Sequence, residues 1–455
     1  MKLIYNVKDK PKFGQVLIFA FQQLLAIMAA TIVVPVIVGH GMSQTAALFG
    51  AGVGTLVYLL FTKFKSPVFL GSSFAFIGSM CAAFAGAGAY TCLGYLGLII
   101  GTTFAGLVYV AIAIAVKYVG VEWINKIMPA SVIGPIVAVI GLSLSGNAVG
   151  DLVKGSVLAN GVPTADPLLA LLCGLITLFT VVICSVYGKK MVKMIPFILG
   201  ILAGYLAATV FTVIGILTEN PALQLINFGL FANMSWLPEL TVIEAFKGIG
   251  EVTNFDWVVF ITKIAIAYVP VAFVVFAEHL ADHKNISFII GEDLTKDPGL
   301  HRTLLGDGVG SIVGSIFGGC PNTTYGESVG CVAISGNASV ISIFTAAIIC
   351  IVSAFVAPFV TFLATIPSCV MGGVCVALYG FIAVSGLKML QKVDLNKNYN
   401  LFTVSTILIA GVGGMVINFG EITLTAVASA LILGILVNVI CSKAAKAEEN
   451  TEDNE

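Results

Sequence analysis

The sequence predicts an all-α polytopic membrane protein with fourteen transmembrane segments, arranged as two inverted repeats of seven spans. Three observations carry that prediction. Hydrophobic residues make up 58% of the 455 and only 10% are charged, with a mean hydropathy of +1.06. A water-exposed fold could not hide so much apolar surface, and the bilayer is the solvent that suits it. The basic residues segregate to alternate loops, and short motifs recur in the same order in both halves of the chain.

The apolar segments fall at 14–38, 44–62, 67–84, 92–116, 128–147, 167–187, 194–217, 258–283, 302–318, 321–336, 337–363, 367–386, 399–418 and 422–441. Most reach the ~20 residues that a helix needs to cross. The third, ninth and tenth are short and rich in glycine or serine. The first is too long for the core of a signal peptide and reads as a retained span. The 49 glycines suit transmembrane helices. A formal net charge of −1 leaves no nucleic-acid footprint, and AEENTEDNE at the end reads as a disordered acidic tail. The ten cysteines contain no CxxC pair and read as buried small hydrophobes rather than a metal site or disulfide frame.

Orientation follows from charge. Nineteen of the 22 basic residues fall in the N-terminal arm, the C-terminal tail and every second loop, among them Lys8, Lys63, Lys65, Lys117, Lys126, Lys193, Lys284, Arg302 and Lys388. Lys154 and Lys247 fall in the opposite set, and Lys263 lies inside a span. The positive-inside rule puts both termini in the cytoplasm, as an even span count requires.

The repeat is read from three pairs. PASVIG at Pro129–Gly134 resembles PSCVMG at Pro367–Gly372, and VVPV at Val33–Val36 resembles YVPV at Tyr268–Val271. GSSFAF at Gly71–Phe76 and PNTTYG at Pro321–Gly326 are both polar interruptions. The offsets are 238, 235 and 250 residues. Seven spans is an odd number, so the second half enters the membrane upside down, as in secondary transporters. Paired broken segments in such folds meet near the midplane and offer helix-start N–H groups to a ligand.

Few ionisable residues lie within the spans: Glu278, His279 and Asp282 in FAEHLADH, Asp307 in LLGDGVG, and Glu327. A charge at the bilayer centre costs about 2.5–3.5 kcal/mol on insertion scales, so such residues mark pathways or sites. If Glu278 and Glu327 face one cavity they titrate as a coupled pair, able to take a proton on one side and release it on the other. Blander readings stand beside these. Glu278 can snorkel to the interface, His279 can be a packing residue, and Asp307 can bond backbone freed around its glycines. Lys263 reads as an interfacial anchor, and His283 and His301 read as cytoplasmic. GAGVG at Gly50–Gly54 and GDGVG at Gly306–Gly310 follow no strand, so they read as close helix packing rather than nucleotide loops.

GSSFAFI, AEH followed by an acid, DPGLHR, PNTTYGE and PSCVMGG, in this order, resemble the nucleobase–cation symporter-2 or nucleobase–ascorbate transporter family, with bacterial uracil permeases as the nearest branch. The resemblance covers about residues 10 to 440. It implies that spans 1–4 and 8–11 form a core domain (1–120 and 251–365) and spans 5–7 and 12–14 a gate domain (121–250 and 366–442), followed by a cytoplasmic tail, 443–455. It also implies that spans 3 and 10 carry short extended strands that pair with each other. Substrate then lies between spans 3, 8 and 10, with Glu278, Glu327, Phe74, Tyr325 and Gly326 as binding residues. Glu278, Asp282, His279 and Asp307 become the proton-coupling set. Uracil presents two N–H donors and two carbonyls on a flat apolar ring. Two carboxyls take the donors, helix-start N–H groups serve the carbonyls, and Phe74 or Tyr325 covers the ring.

The implied activity is proton-coupled uracil import by alternating access in the plasma or inner membrane. No enzyme, metal or cofactor is implied, with the proton as coupling ion. The partners implied are a nucleobase, membrane lipid and a second copy of the chain through the gate domain. Two positions depart from the pattern. Uracil permeases carry histidine four residues after the span-8 glutamate, where this chain has Asp282; His283 is about 100° further round, so the relay here uses Asp282. Ser328 stands where Asn is usual. Glutamine at position 327 marks purine-type relatives, so Glu327 favours a pyrimidine, with a xanthine or purine symporter as the alternative. An anion exchanger of the same architecture fits two central carboxyls poorly. A channel would need a polar stripe through several helices, and HLADH matches no zinc spacing.

Overall fold

The computed structural model describes residues 3–120, 129–159, 162–189, 191–234, 236–391, 393–419 and 422–452. Lys126 lies outside the described residues, as do Lys2, Lys190 and Lys392 of the orientation argument.

Among the described residues, fifteen main helices account for the apolar segments. The first half holds α1 (Phe13–Val38), α2 (Gln44–Phe61), α3 (Ile77–Gly86), α4 (Thr91–Val119), α5 (Ala130–Ser143), α6 (Pro167–Tyr187) and α7 (Pro196–Leu217). The second holds α8 (Trp257–Ile290), α9 (Leu300–Gly318), α10 (Gly326–Ser335), α11 (Val340–Ser353), α12 (Ala357–Thr365), α13 (Ser368–Leu390), α14 (Asn398–Val412) and α15 (Ala426–Glu452). Local chemistry sets several ends. Ser43, Asp166 and Asp256 cap α2, α6 and α8 by accepting backbone N–H bonds. Gly39 and Gly291, both at φ 73°, close α1 and α8.

Among the described residues, eight helices are long and apolar enough to cross a membrane, and nine if one bent pair counts as a single span. The chain is thus a helical, multi-pass membrane protein. That pair is α11 and α12, bent by 83° where the sequence suggested one span over 337–363. Pro358 cannot continue a preceding helix and instead opens α12. α8 has 34 residues, about 51 Å, and runs well past the 283 boundary read from hydropathy. α15 runs past the 441 boundary read from hydropathy.

Segments three and ten are not continuous helices. β1 (Leu70–Ser72) and β2 (Asn322–Thr324) pair antiparallel, with Leu70 opposite Thr324 and Ser72 opposite Asn322. Ser73 N–H donates to the Pro321 carbonyl at 2.8 Å and Tyr325 N–H to the Phe69 carbonyl at 3.2 Å, extending the ladder at both ends. Pro67 and Pro321 bias the preceding residues away from helix, and Gly319 at φ 73° ends α9. The strands are buried throughout. Their mutual bonds satisfy backbone that lipid could not.

Contacts join corresponding helices of the two halves. α2 packs on its counterpart α9, and α5 on its counterpart α13. α1 meets α11 as α8 meets α4, α6 meets α13 as α14 meets α5, and α1 meets α7 as α8 meets α15. β1 pairs with its own counterpart β2, and antiparallel pairing is what a two-fold axis in the membrane plane demands. α1 and α8 both carry an internal proline, Pro35 and Pro270, and Pro129 and Pro367 cap α5 and α13. The helices thereby form two groups, α1–α4 with α8–α11, and α5–α7 with α13–α15, meeting along α1 and α8.

Glycine makes the α2–α9 crossing. A Cβ on Gly54 would lie 2.8 Å from the Gly310 carbonyl oxygen and 2.6 Å from Asn322 Nδ2. The two glycine motifs therefore bring backbones together, as their context suggested. Asn322 uses that space: its side-chain amide donates to the Gly50 carbonyl at 3.1 Å, and its backbone N–H to Ser311 Oγ at 2.9 Å. The strand pair is bolted to this crossing.

Candidate substrate site

A cavity of about 410 Å³ lies between the two helix groups. One wall is polar: Glu278, Asp282 and Asn285 from α8, and Gly326 and Glu327 from the first turn of α10. The facing wall is apolar, with Phe197 at the start of α7 and Phe381, Ile382 and Met389 from α13. Lys193 and Ser385 complete its polar groups. The side chains Glu278 and Asp282 are four residues apart, hence on one face of α8. α10 starts here because Gly326 follows extended Tyr325, and no side chain caps its first turn. The first N–H groups of a helix have no intrahelical acceptor, so this turn presents donors and a positive dipole end beside two carboxyls.

Behind the polar wall sits a buried network. Thr324 Oγ1 donates to Asp282 Oδ2 at 2.9 Å, tying the strand to α8. His279 Nδ1 lies 2.6 Å from Asp307 Oδ2, and both side chains are buried. His279 Nε2 lies 3.0 Å from Thr303 Oγ1, whose hydroxyl hydrogen goes to the Leu300 carbonyl. The short Nδ1–Oδ2 contact holds a hydrogen between its partners, and the direction of the Nε2–Thr303 bond follows from the imidazole tautomer.

The eight sequence-predicted residues divide. Glu278, Asp282, Gly326 and Glu327 line the cavity together. His279 and Asp307 pair one layer behind it. Phe74 and Tyr325 are not among its lining residues. Phe74 stands edge-on to Tyr379 at 5.8 Å, and the Tyr325 hydroxyl donates to the Ser72 carbonyl at 2.7 Å. The Tyr325 ring fills the space a Cβ on Gly71 would need. The aromatic rings that do line the cavity are Phe197 and Phe381.

His283, read from sequence as cytoplasmic, is fully buried. Its Nδ1–H donates to the His279 carbonyl at 2.8 Å, its Nε2 meets the Tyr58 hydroxyl at 2.7 Å, and its ring stacks on His279 at 4.0 Å. The length of α8 explains the correction: position 283 is still within the bundle. Ser328 gathers three elements, accepting from Phe69 N–H at 2.9 Å and from the Gln23 amide. Sequence reasoning missed Gln23, Thr324, Asn285 and Ser385. Thr324 lay inside a quoted motif; Asn285 read as part of the polar end of span 8, and Gln23 and Ser385 as isolated polar residues in apolar spans.

The model of the Permease family matches residues 14–420. The chain is 37% identical over 459 residues to the uracil permease of Bacillus caldolyticus, covering 100% of this chain and 98% of that one. It is 36% identical over 437 residues to the uracil permease of Escherichia coli strain K12, covering 96% and 93%. In fold it is similar to the transmembrane domain of the cyanobacterium bicarbonate transporter BicA, at a TM-score of 0.63 and 17% identity over 96% of this chain and 99% of that one. It is also similar to the murine Slc26a9 anion transporter, at a TM-score of 0.64 and 11% identity over 96% and 69%.

Proposed function

This chain belongs to the Permease family, the nucleobase–cation symporter-2 or nucleobase–ascorbate transporters, and from that premise we propose that it is a proton-coupled uracil importer of the plasma or inner membrane. It is a transporter rather than an enzyme. One observation carries the substrate reading: Glu278 and Glu327 open into one cavity beside the uncapped start of α10. In this reading the two carboxyls accept the N–H groups of uracil. The first-turn N–H groups of α10 serve a carbonyl, and Phe381 and Phe197 lie along the ring. A base lacking an N–H is rejected, because the buried carboxyls would be left unpaired.

The transport cycle we propose is alternating access through fourteen spans in two inverted repeats. A core domain, 1–120 and 251–365, moves against a gate domain, 121–250 and 366–442, and both termini with the tail, 443–455, face the cytoplasm. The cavity between the two helix groups supports this division. Protons enter the cycle at Glu278 and Asp282, with the His279–Asp307 pair holding one behind them. A homodimer through the gate domain completes the proposal.

Uptake of labelled uracil into proteoliposomes under an inward proton gradient tests it. Accumulation that a protonophore abolishes is expected, and accumulation indifferent to the protonophore overturns the coupling. Competition by xanthine stronger than by uracil overturns the pyrimidine assignment.

A further inference from the structure

A second recess, of about 480 Å³, shares no lining residue with the first and lies between the N-terminal arm, the turn after α2 and the start of α11. Lys8, Lys10, Lys63 and Lys65 line it together with Phe64 and Phe344. It is a built feature. The N-terminal arm is laid along the turn before α11: Ile4 N–H donates to the Gly336 carbonyl at 2.7 Å, Ala338 N–H to the Tyr5 carbonyl at 2.9 Å, and Val340 N–H to the Val7 carbonyl at 3.2 Å. This brings Lys8 and Lys10 to the turn after α2. There Lys63 and Phe64 both take positive φ, 53° and 55°, a left-handed conformation that side chains other than glycine rarely adopt and that clusters at ligand sites.

The charge and the apolar surface point to one ligand chemistry. Lys65 is bound to Asp297, 2.6 Å from both carboxyl oxygens, and that bond holds the Asp297 carboxyl below the usual range. Among the described residues, no ion pair includes Lys8, Lys10 or Lys63, and all three are exposed. Lys8 and Lys63 also act on Asp297 through space, so one carboxylate stands against the four lysines that line the recess, which keeps a net positive charge. Its rim is aromatic: Phe64 is 43% and Phe344 40% exposed, with ring centroids 6.3 Å apart. A site for a free anion gains nothing from exposed rings at the end of membrane helices. A phospholipid with an anionic head matches both features, phosphate to lysines and acyl chain to rings.

We propose that this recess binds the phosphate headgroup of an anionic phospholipid, with Lys8, Lys10 and Lys63 on the phosphate and Phe64 and Phe344 along the first part of its acyl chains. The arm, α2 and α11 belong to the same helix group, so the lipid ties that group to the lysine-rich leaflet surface.

Native mass spectrometry of the full chain released from detergent tests the site, with phosphatidylglycerol and phosphatidylethanolamine offered in equal amounts. The wild type is expected to retain at least about five-fold more phosphatidylglycerol. The triple variant K8Q/K10Q/K63Q is expected to lose that preference and K8R/K10R/K63R to keep it, with lipid-free unfolding midpoints within about 2 °C of wild type. Should the triple glutamine variant fold poorly, K10Q and K63Q singly carry the same comparison with a smaller loss. Equal retention of the two lipids by the wild type overturns the proposal, as does an undiminished preference in the glutamine variants. Displacement of the lipid by millimolar inorganic phosphate would make a free anion the occupant and overturn it as well.

Discussion

The two broken segments, residues 66–86 and 319–336, share a backbone device and differ in chemistry. Each carries a proline between the preceding helix and a three-residue buried strand, adds that strand to the same ladder and re-enters helix beside the boundary between the two helix groups. The first runs through Ser72, Ser73 and Phe74, with no acidic or basic side chain; among the described residues the buried Ser73 hydroxyl has no hydrogen-bond partner. The second carries Glu327 into the cavity and sends Thr324 to Asp282. The same asymmetry runs through the bundle: Glu278, His279, Asp282, His283, Asp307 and Glu327 all belong to the second half. Pairing of the two strands fixes where the chain breaks meet. Which of them bears charge is a separate matter, and here the second half supplies the ionisable side chains of the cavity.

The sharpest way to break this comparison is to remove the side chain at each break. Glu327→Ala is expected to lower uracil uptake at least about 100-fold, the scale of losing a buried charged hydrogen bond. Ser73→Ala, at the other break, is expected to change it by no more than about three-fold. Equal losses would mean that both halves contribute to recognition alike. Asp307→Asn tests the layer behind the cavity: uracil affinity is expected to stay within about three-fold while gradient-driven accumulation falls at least about ten-fold. An unchanged accumulation ratio would remove the His279–Asp307 pair from coupling.

Glycine reverses the order of the two segments. A Cβ on Gly71 runs into the Tyr325 ring, whereas one on Gly326 comes no closer than 3.7 Å, to Asp282 Oδ1. Gly71→Ala is therefore expected to destabilise by about 1–3 kcal/mol and Gly326→Ala by less than about 0.5 kcal/mol, both read from thermal unfolding in detergent. Comparable shifts would show that the strand pair can yield. Tyr325→Phe falls between these two: it removes the bond to Ser72 and should cost about 1 kcal/mol without altering uracil affinity, since Tyr325 lies outside the cavity lining.

Much of the fold was legible because hydropathy marks lipid-facing helix directly. α1, α2, α6, α7 and α13 begin within two residues of the boundaries read from sequence. The proline and glycine signals at 318–321 marked a real break, but the pairing of β1 with β2 is a contact across 252 residues that composition cannot encode; the family resemblance supplied it. Hydropathy failed where polar residues are buried by tertiary structure. His283 followed Asp282 and preceded Lys284, so it read as a helix end, yet Tyr58 and His279 enclose it. The carboxyls of the cavity stood out because charge is rare in such segments. Its apolar wall did not, because Phe381 and Ile382 differ in no local way from residues that face lipid. Lys193 was read only as a marker of orientation, and its position on the cavity depends on how the turn before α7 packs against α1 and α10.

The central claim is that Glu278 and Glu327 act together on one substrate from one cavity. Isothermal titration of uracil into purified wild type, Glu278→Gln, Glu327→Ala and the double variant tests it most directly. The account predicts that each single change removes measurable binding or weakens it by at least about 100-fold, with the double change no worse than the more damaging single one by more than about ten-fold. Wild-type affinity in either single variant would contradict it.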